Sequence, residues 1–183
     1  MELKSENIHF RLAEPSDAGF IHSLRTDGKY NQHLSVVDPD IKKQEQWLIE
    51  YKKREALNQE YYYIIQRNTD LVPIGTVRIY DFIQEANSFC WGSWILNGGK
   101  TRYSALECAI LIYDFAFLEL GFKRCHMEIR KQNARVIEFH KRFGVTIVGE
   151  TEQNLIGHYF IDDYLKIRDS IISVIHESHP GAV

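Results

Sequence analysis

The chain has 183 residues, is 44% apolar and carries a formal net charge of −3. That length and apolar content suit one compact domain spanning 1–183, and the lack of a basic excess excludes the usual footprint of a nucleic-acid binder. Cys90, Cys108 and Cys125 form no CxxC, and no histidine pair falls at i, i+4, so neither a disulfide framework nor a metal site is expected and a reducing cytosol fits.

MELKSENIHF opens the chain without the apolar h-region of a secretory signal. No later run approaches the roughly 18 apolar residues of a membrane helix, so a cytoplasmic protein is expected. NIHFRLA (7–13) alternates as a strand does, and Glu14-Pro15-Ser16-Asp17 starts a helix over DAGFIHSLRT. Residues 27–40 are polar and turn-like. In 41–57, Ile41, Gln44, Trp47, Leu48 and Tyr51 share one face of an amphipathic helix. EYYYIIQR (60–67) and PIGTVRIYDF (73–82) form a hairpin across Asn68-Thr69-Asp70. SFCWGSWIL (88–96) is a strand with Gly92 inside it, a sign of a bulge or of close approach to the backbone.

A polar stretch, NGGKTRY, then leads into an apolar helix that ends at Gly121 as its C-cap. Ala105, Ala109, Ile112 and Ala116 make one apolar face and Leu106, Ile110, Tyr113 and Phe117 its neighbour, which places this helix against a sheet. A strand (122–130), a helix from Asn133 to Gly144, a strand pair (145–150 and 156–161) and a terminal helix (162–177) complete the chain, with SHPGAV expected to fray. The order β α α β β β α β α β β α is mixed α/β and fits neither a doubly wound fold nor a sandwich.

Two stretches carry candidate chemistry. At 97–105 a strand gives way to a buried helix, whose first N–H groups attract anions, and Lys100 and Arg102 add positive charge. The segment is neither GxGxxG nor GxxxxGK[ST], so an ordinary loop with two solvated cations is the plainer alternative. In KQNARVIEFHKRFG, Asn133 and His140 stand seven residues apart, two turns on one stripe with Ile137 between them.

The frame Trp94-Ile95, loop, Tyr103-Ser104-Ala105, YDFAFLELGFKR, Asn133, His140 and RFG resembles the central segment of the GNAT acetyltransferases. The branch it resembles most acetylates ribosomal-protein N-termini and amino sugars. The resemblance covers most of the chain, strongly over 73–150 and weakly before 60. It implies an α+β fold with a central mixed, mostly antiparallel sheet, flanked by helices and splayed at the cofactor site. It implies acetyl-CoA as co-substrate and direct transfer to a primary amine. Lys100, Thr101, Arg102, Tyr103, Ser104 and Ala105 then match the pyrophosphate loop, and Trp94, Ile95 and Leu96 the strand that pairs with pantetheine. Asn133 matches the amide that holds the pantetheine arm, and as an Asn it also suits the N-cap.

The chain departs from the family pattern at two places. The loop glycines lie early, at Gly98 and Gly99, so side chains at 100 and 102, with the hydroxyls of Thr101 and Ser104, must replace backbone contacts to phosphate. The family's tyrosine is His140 here, which protonates a departing thiolate only if it starts as imidazolium; the alternative is a buried spacer. Among bases, Asp81 is the leading candidate, with Glu85 and His158 behind it, and Cys90 reads as a small buried residue. Arg25, Tyr30, Tyr80, Asp81, Trp91 and Trp94 are candidate acceptor contacts, and Trp91 and Trp94 share a face only if a bulge intervenes. Aromatic rings beside polar groups suit a sugar. FCWGSWIL and FHKRFG resemble the amino-sugar acetyltransferases of surface-polysaccharide pathways, which implies a small-molecule amine, a nucleotide-linked amino sugar, as the acceptor. A protein N-terminus and a non-catalytic acyl-CoA-binding module are the alternatives, and a homodimer stays open.

Overall fold

The computed structural model describes residues 3–177, so the expected fraying of the 178–183 tail lies outside the described residues. Eight strands make one sheet: β1 (Leu3–Lys4), β2 (Ile8–Leu12), β3 (Tyr61–Arg67), β4 (Pro73–Ile83), β5 (Ser88–Leu96), β6 (Arg124–Arg130), β7 (Thr146–Glu150) and β8 (Asn154–Phe160). Their order is β1-β2-β3-β4-β5-β6-β8-β7. Every pairing is antiparallel except β5 with β6. Five helices flank the sheet: α1 (Ala18–Thr26), α2 (Ile41–Ala56), α3 (Ser104–Tyr113), α4 (Ala134–Arg142) and α5 (Ile161–His176). The mixed, open, helix-flanked sheet is the expected one; the two-residue β1 is the element the sequence pattern does not announce.

Strand alternation divides the core. Tyr61, Tyr63 and Ile65 of β3 turn toward the larger core with α3, while Tyr62 and Ile64 turn toward the smaller one with Ile21 of α1 and Leu48 and Tyr51 of α2. Tyr51 fastens this second layer, its hydroxyl accepting from the Tyr62 N–H at 2.7 Å. Beyond β4 the same sheet face changes character and carries Ser88, His126, Glu128 and His158.

α3 is apolar almost all round, as a helix buried on a sheet must be. It widens into a π-helical turn over Asp114–Glu119 and ends at Gly121, whose φ of +78° needs a residue without Cβ. The widened turn presents Asp114 to α5. Arg168 donates to it from Nε at 2.7 Å and Nη2 at 2.8 Å, and Tyr164 donates its hydroxyl at 2.5 Å.

Two irregularities position the site. β5 and β6 pair only at Ser88–Arg124 and Phe89–Cys125, then part, so from Cys90 onward β5 keeps β4 on one edge and, among the described residues, has no strand on the other. β5 also bulges. Thr76 faces Ile95 and Arg78 faces Gly92, so Ser93 and Trp94 both lie across from Val77, with Ser93 at φ +48° and its carbonyl accepting from Thr76 Oγ1 at 3.0 Å. A Cβ on Gly92 would stand 2.9 Å from the Tyr80 hydroxyl, so this glycine marks a close approach beside the bulge. The bulge brings Trp91 and Trp94 to one side, their ring centroids 5.2 Å apart.

Candidate active site

A cleft of about 630 Å³ opens along the free edge of β5. Trp94, Ile95 and Leu96 line one wall, and Asn133, Val136 and Phe139 of α4 line the opposite wall. Lys29, Lys100, Arg135 and Arg142 also line it, against the single carboxylate Glu138. An apolar slot with a cationic rim suits a long ligand that ends in phosphates. Asn133, Val136 and Phe139 recur at every third position, so the cleft face of α4 is a stripe of its own. Ile137 and His140 point to the buried side. Arg135 and Arg142 were visible in the sequence only as surface cations of a short helix; the rim they form becomes apparent once α4 is placed beside β5.

The loop before α3 is closed largely on itself. Gly98 N–H donates to the Tyr30 hydroxyl at 3.2 Å, Gly99 N–H to Asn97 Oδ1 at 2.8 Å and Lys100 N–H to Asn97 O at 3.2 Å. Thr101 N–H donates to Ser104 Oγ at 2.9 Å, and the two hydroxyl oxygens lie 2.7 Å apart. Ser104 is fully buried, and its hydroxyl and that of Thr101 are hydrogen-bonded to each other. The first-turn N–H groups of Ala105 and Leu106 have no acceptor within the helix, and both residues line the cleft beside Lys100. Arg102 stays outside that lining, exposed over the Tyr103 ring at 5.2 Å. Tyr30, expected at the acceptor, lines the cleft next to the loop before α3, its hydroxyl accepting from Gly98 N–H.

Asn133 caps α4, its Oδ1 accepting from Val136 N–H at 3.3 Å, and also lines the cleft. His140 lies beneath, 7% exposed, with its ring against Trp91 at 5.4 Å and Phe139 at 5.6 Å. Its Nδ1 is buried without a hydrogen-bond partner among the described residues, and burial lowers its pKa to about 4. The imidazolium donor expected at this position is therefore not formed at neutral pH; among the described residues no carboxylate faces the ring to hold the charge. Trp91, a proposed acceptor contact, is 6% exposed and donates from Nε1 to the Tyr113 hydroxyl at 3.2 Å, so it walls the His140 pocket.

The acceptor-side candidates divide. Arg25 donates to Ser35 Oγ at 2.7 Å and lines a separate hollow of about 320 Å³ with Lys43 and Trp47. Tyr80 lies under the Arg78 guanidinium, 4.6 Å from its ring centroid. Asp81 stands at φ +55° in the irregular stretch between Tyr80 and Ile83, a conformation Asp tolerates better than most residues. Its Oδ2 lies 3.0 Å from His126 Nε2, and His126 Nδ1 lies 2.7 Å from Ser88 Oγ. Cys90 is buried and its thiol is pushed up to about 11 by desolvation, as a small packed cysteine would be. His158, directly across from His126, has its pKa lowered by desolvation and by Arg124 and His126. Glu85 stays in the exposed turn between β4 and β5. Sequence reasoning passed over His126 and Ser88, because only strand register brings 81, 88 and 126 together.

The model of the GNAT acetyltransferase domain matches residues 7–146. A probable N-acetyltransferase of Bacillus subtilis is 26% identical over 151 residues, covering 76% of this chain and 83% of its own. Among solved structures, apo FdhC, a nucleotide-linked sugar GNAT, aligns with a TM-score of 0.86 and 42% identity over 93% of this chain and 96% of its own. The ribosomal-protein-S5-alanine acetyltransferase of Vibrio fischeri aligns with a TM-score of 0.75 at 15% identity, over 90% of this chain and 98% of its own, a likeness of fold alone.

Proposed function

The chain belongs to the GNAT acetyltransferase family, and from that premise we propose that it transfers the acetyl group of acetyl-CoA to the primary amine of a nucleotide-linked amino sugar. N-acetyltransferase activity follows from the family. The observation that carries the choice of acceptor is the 42% identity, sustained over 93% of the chain, to a nucleotide-linked sugar GNAT.

The cleft fits an extended thioester. Lys100, Arg135 and Arg142 meet its phosphates, and the unpaired edge of β5 offers N–H and C=O groups to the amides of its arm, as a strand would. Asn133 touches the same arm from α4. Where β5 leaves β6 its backbone N–H groups are released from strand pairing, and such fixed donors are what stabilises a carbonyl oxygen that gains charge during attack. His140, neutral and on the buried side of α4, packs beneath the cleft as a spacer and donates no proton. Most of the acceleration comes from holding amine and thioester together. Incubation with acetyl-CoA and a nucleotide-linked amino sugar, followed by NMR of the sugar product, tests the reading. An acetamido group at the former amine carbon supports it. Free CoA without an acetylated sugar sinks it.

A further inference from the structure

Where β5 and β6 part, the first residues past the last paired rung are Cys90 and His126. Tyr80 pairs with Cys90 and His126 with His158, so Tyr80, Cys90, His126 and His158 form one row across the sheet, on the face that α3 does not cover. Asp81 joins the row because its positive φ swings the carboxylate to the His126 ring. Backbone strain at a non-glycine residue is a cost, and here it delivers a carboxylate to one imidazole nitrogen. The Asp81 side chain is 62% exposed and that of His126 18%, so the pair is held on the inside and open on the outside.

Resting on the transferase reading, we propose that His126 is the general base for the acceptor ammonium, with Asp81 the residue that positions the amine against it and Ser88 the residue that orients the ring.

Ser88 Oγ accepts from Arg124 Nε at 3.3 Å. Because the Asp81 carboxylate only accepts, the 3.0 Å contact puts the proton of the neutral ring on Nε2 in the free enzyme; once an ammonium takes over Asp81, the ring adopts its other tautomer, with Nδ1–H donating to Ser88 Oγ across 2.7 Å and the lone pair at Nε2. The incoming ammonium replaces the direct contact, donating one N–H to the exposed Asp81 carboxylate and another to Nε2. One proton passes to Nε2, the freed nitrogen lone pair forms the C–N bond to the thioester carbonyl, and the C–S bond breaks. The sulfur leaves with the bonding electrons and takes the second amine proton. The imidazolium then closes on Asp81 in the 3.0 Å contact and returns its proton to water.

The other groups around the ring leave it this role. Tyr80 and Cys90 have raised pKa values, chiefly from desolvation, and stay uncharged at neutral pH. Glu128 accepts from Asn154 Nδ2 at 2.8 Å, Arg124 is engaged with Ser88, and His158 is disfavoured as a cation.

The test uses His126→Gln and Asp81→Asn, the latter because Asn also tolerates positive φ. Acetyl-CoA affinity by calorimetry should be unchanged in both, which also shows that they fold. For His126→Gln, kcat/KM for the amine should fall about 100-fold or more at neutral pH. That deficit should shrink as the pH rises toward the pKa of the amine itself. For Asp81→Asn, the KM for the amine should rise more than kcat falls, since the carboxylate that holds the ammonium is gone while the ring stays in place. A His126→Gln deficit of under threefold, or one that is the same at every pH, overturns the proposal. Wild-type protein that binds acetyl-CoA but releases no thiol with any amine overturns the transferase reading as well, a different outcome from either.

Discussion

At His140, burial strips water from an imidazole that, among the described residues, no carboxylate faces, and the pKa falls from 6.5 to about 4. A folded-state pKa below the unfolded value means that the unfolded chain binds the proton more readily. The neutral ring therefore contributes fully above pH 6.5, and that contribution is lost as the pH falls toward 4. The shift corresponds to about 3 kcal/mol over that window. We expect unfolding free energy measured by denaturant titration to drop between those pH values in the wild type and to drop less in His140→Leu. Parallel curves would mean that the ring is solvated. The same burial predicts that the alkaline side of the rate profile does not move in His140→Tyr. The spacing of Asn133 and His140 was legible in the sequence, and so was the N-cap. The state of the imidazole was not, because its neighbours are Trp91, turned inward from β5, and Phe139 from its own helix.

Among the elements, β4 and β5 set the geometry of the cleft. A Cβ on Gly75 would fall on the Ile95 carbonyl oxygen, a backbone atom with no room to give. Gly75→Ala should therefore pry the strands apart where Ile95 lines the cleft. Loss of acetyl-CoA affinity and a lower melting temperature together are the expected result; a variant with wild-type values in both would show that the strands absorb the methyl. At the start of α4, Asn133→Ala should cost about 1 kcal/mol through the lost cap and should also raise the KM for acetyl-CoA. Lower stability with unchanged KM would leave Asn133 a cap only. Gly92 announced the bulge, and the apolar helix with Gly121 announced a buried element and its end. The π turn was not announced, since one extra residue per turn leaves no mark on the apolar pattern. Nor was the Ser88–His126–Asp81 chain, because it depends on the register of three strands and on one residue at positive φ.

Over the whole molecule, a net charge of −3 conceals a local reversal, with four cations and one carboxylate around the cleft. Such a rim attracts an anionic ligand and does so less as salt rises. Lys100→Glu and Arg135→Glu should weaken acetyl-CoA binding, more at low ionic strength than at high, and Arg102→Glu should do so less because Arg102 lies outside the lining. Equal effects of all three, independent of salt, would remove the rim from the account. The elements were legible along nearly the full length, because each carries its own periodicity, while their arrangement in one splayed sheet followed from the family resemblance. The cationic rim was not, because it is assembled from the 27–40 loop, the loop before α3 and α4. The central claim is that this scaffold joins acetyl-CoA to a nucleotide-linked amino sugar. The most direct measurement is kcat/KM, from thiol release with acetyl-CoA, for such a sugar set beside the same amino sugar without its nucleotide and a peptide with an N-terminal alanine. The account predicts turnover with the nucleotide-linked sugar at least tenfold above either comparator. Faster turnover of the peptide, or no thiol release from any of the three by protein that binds acetyl-CoA, would contradict it.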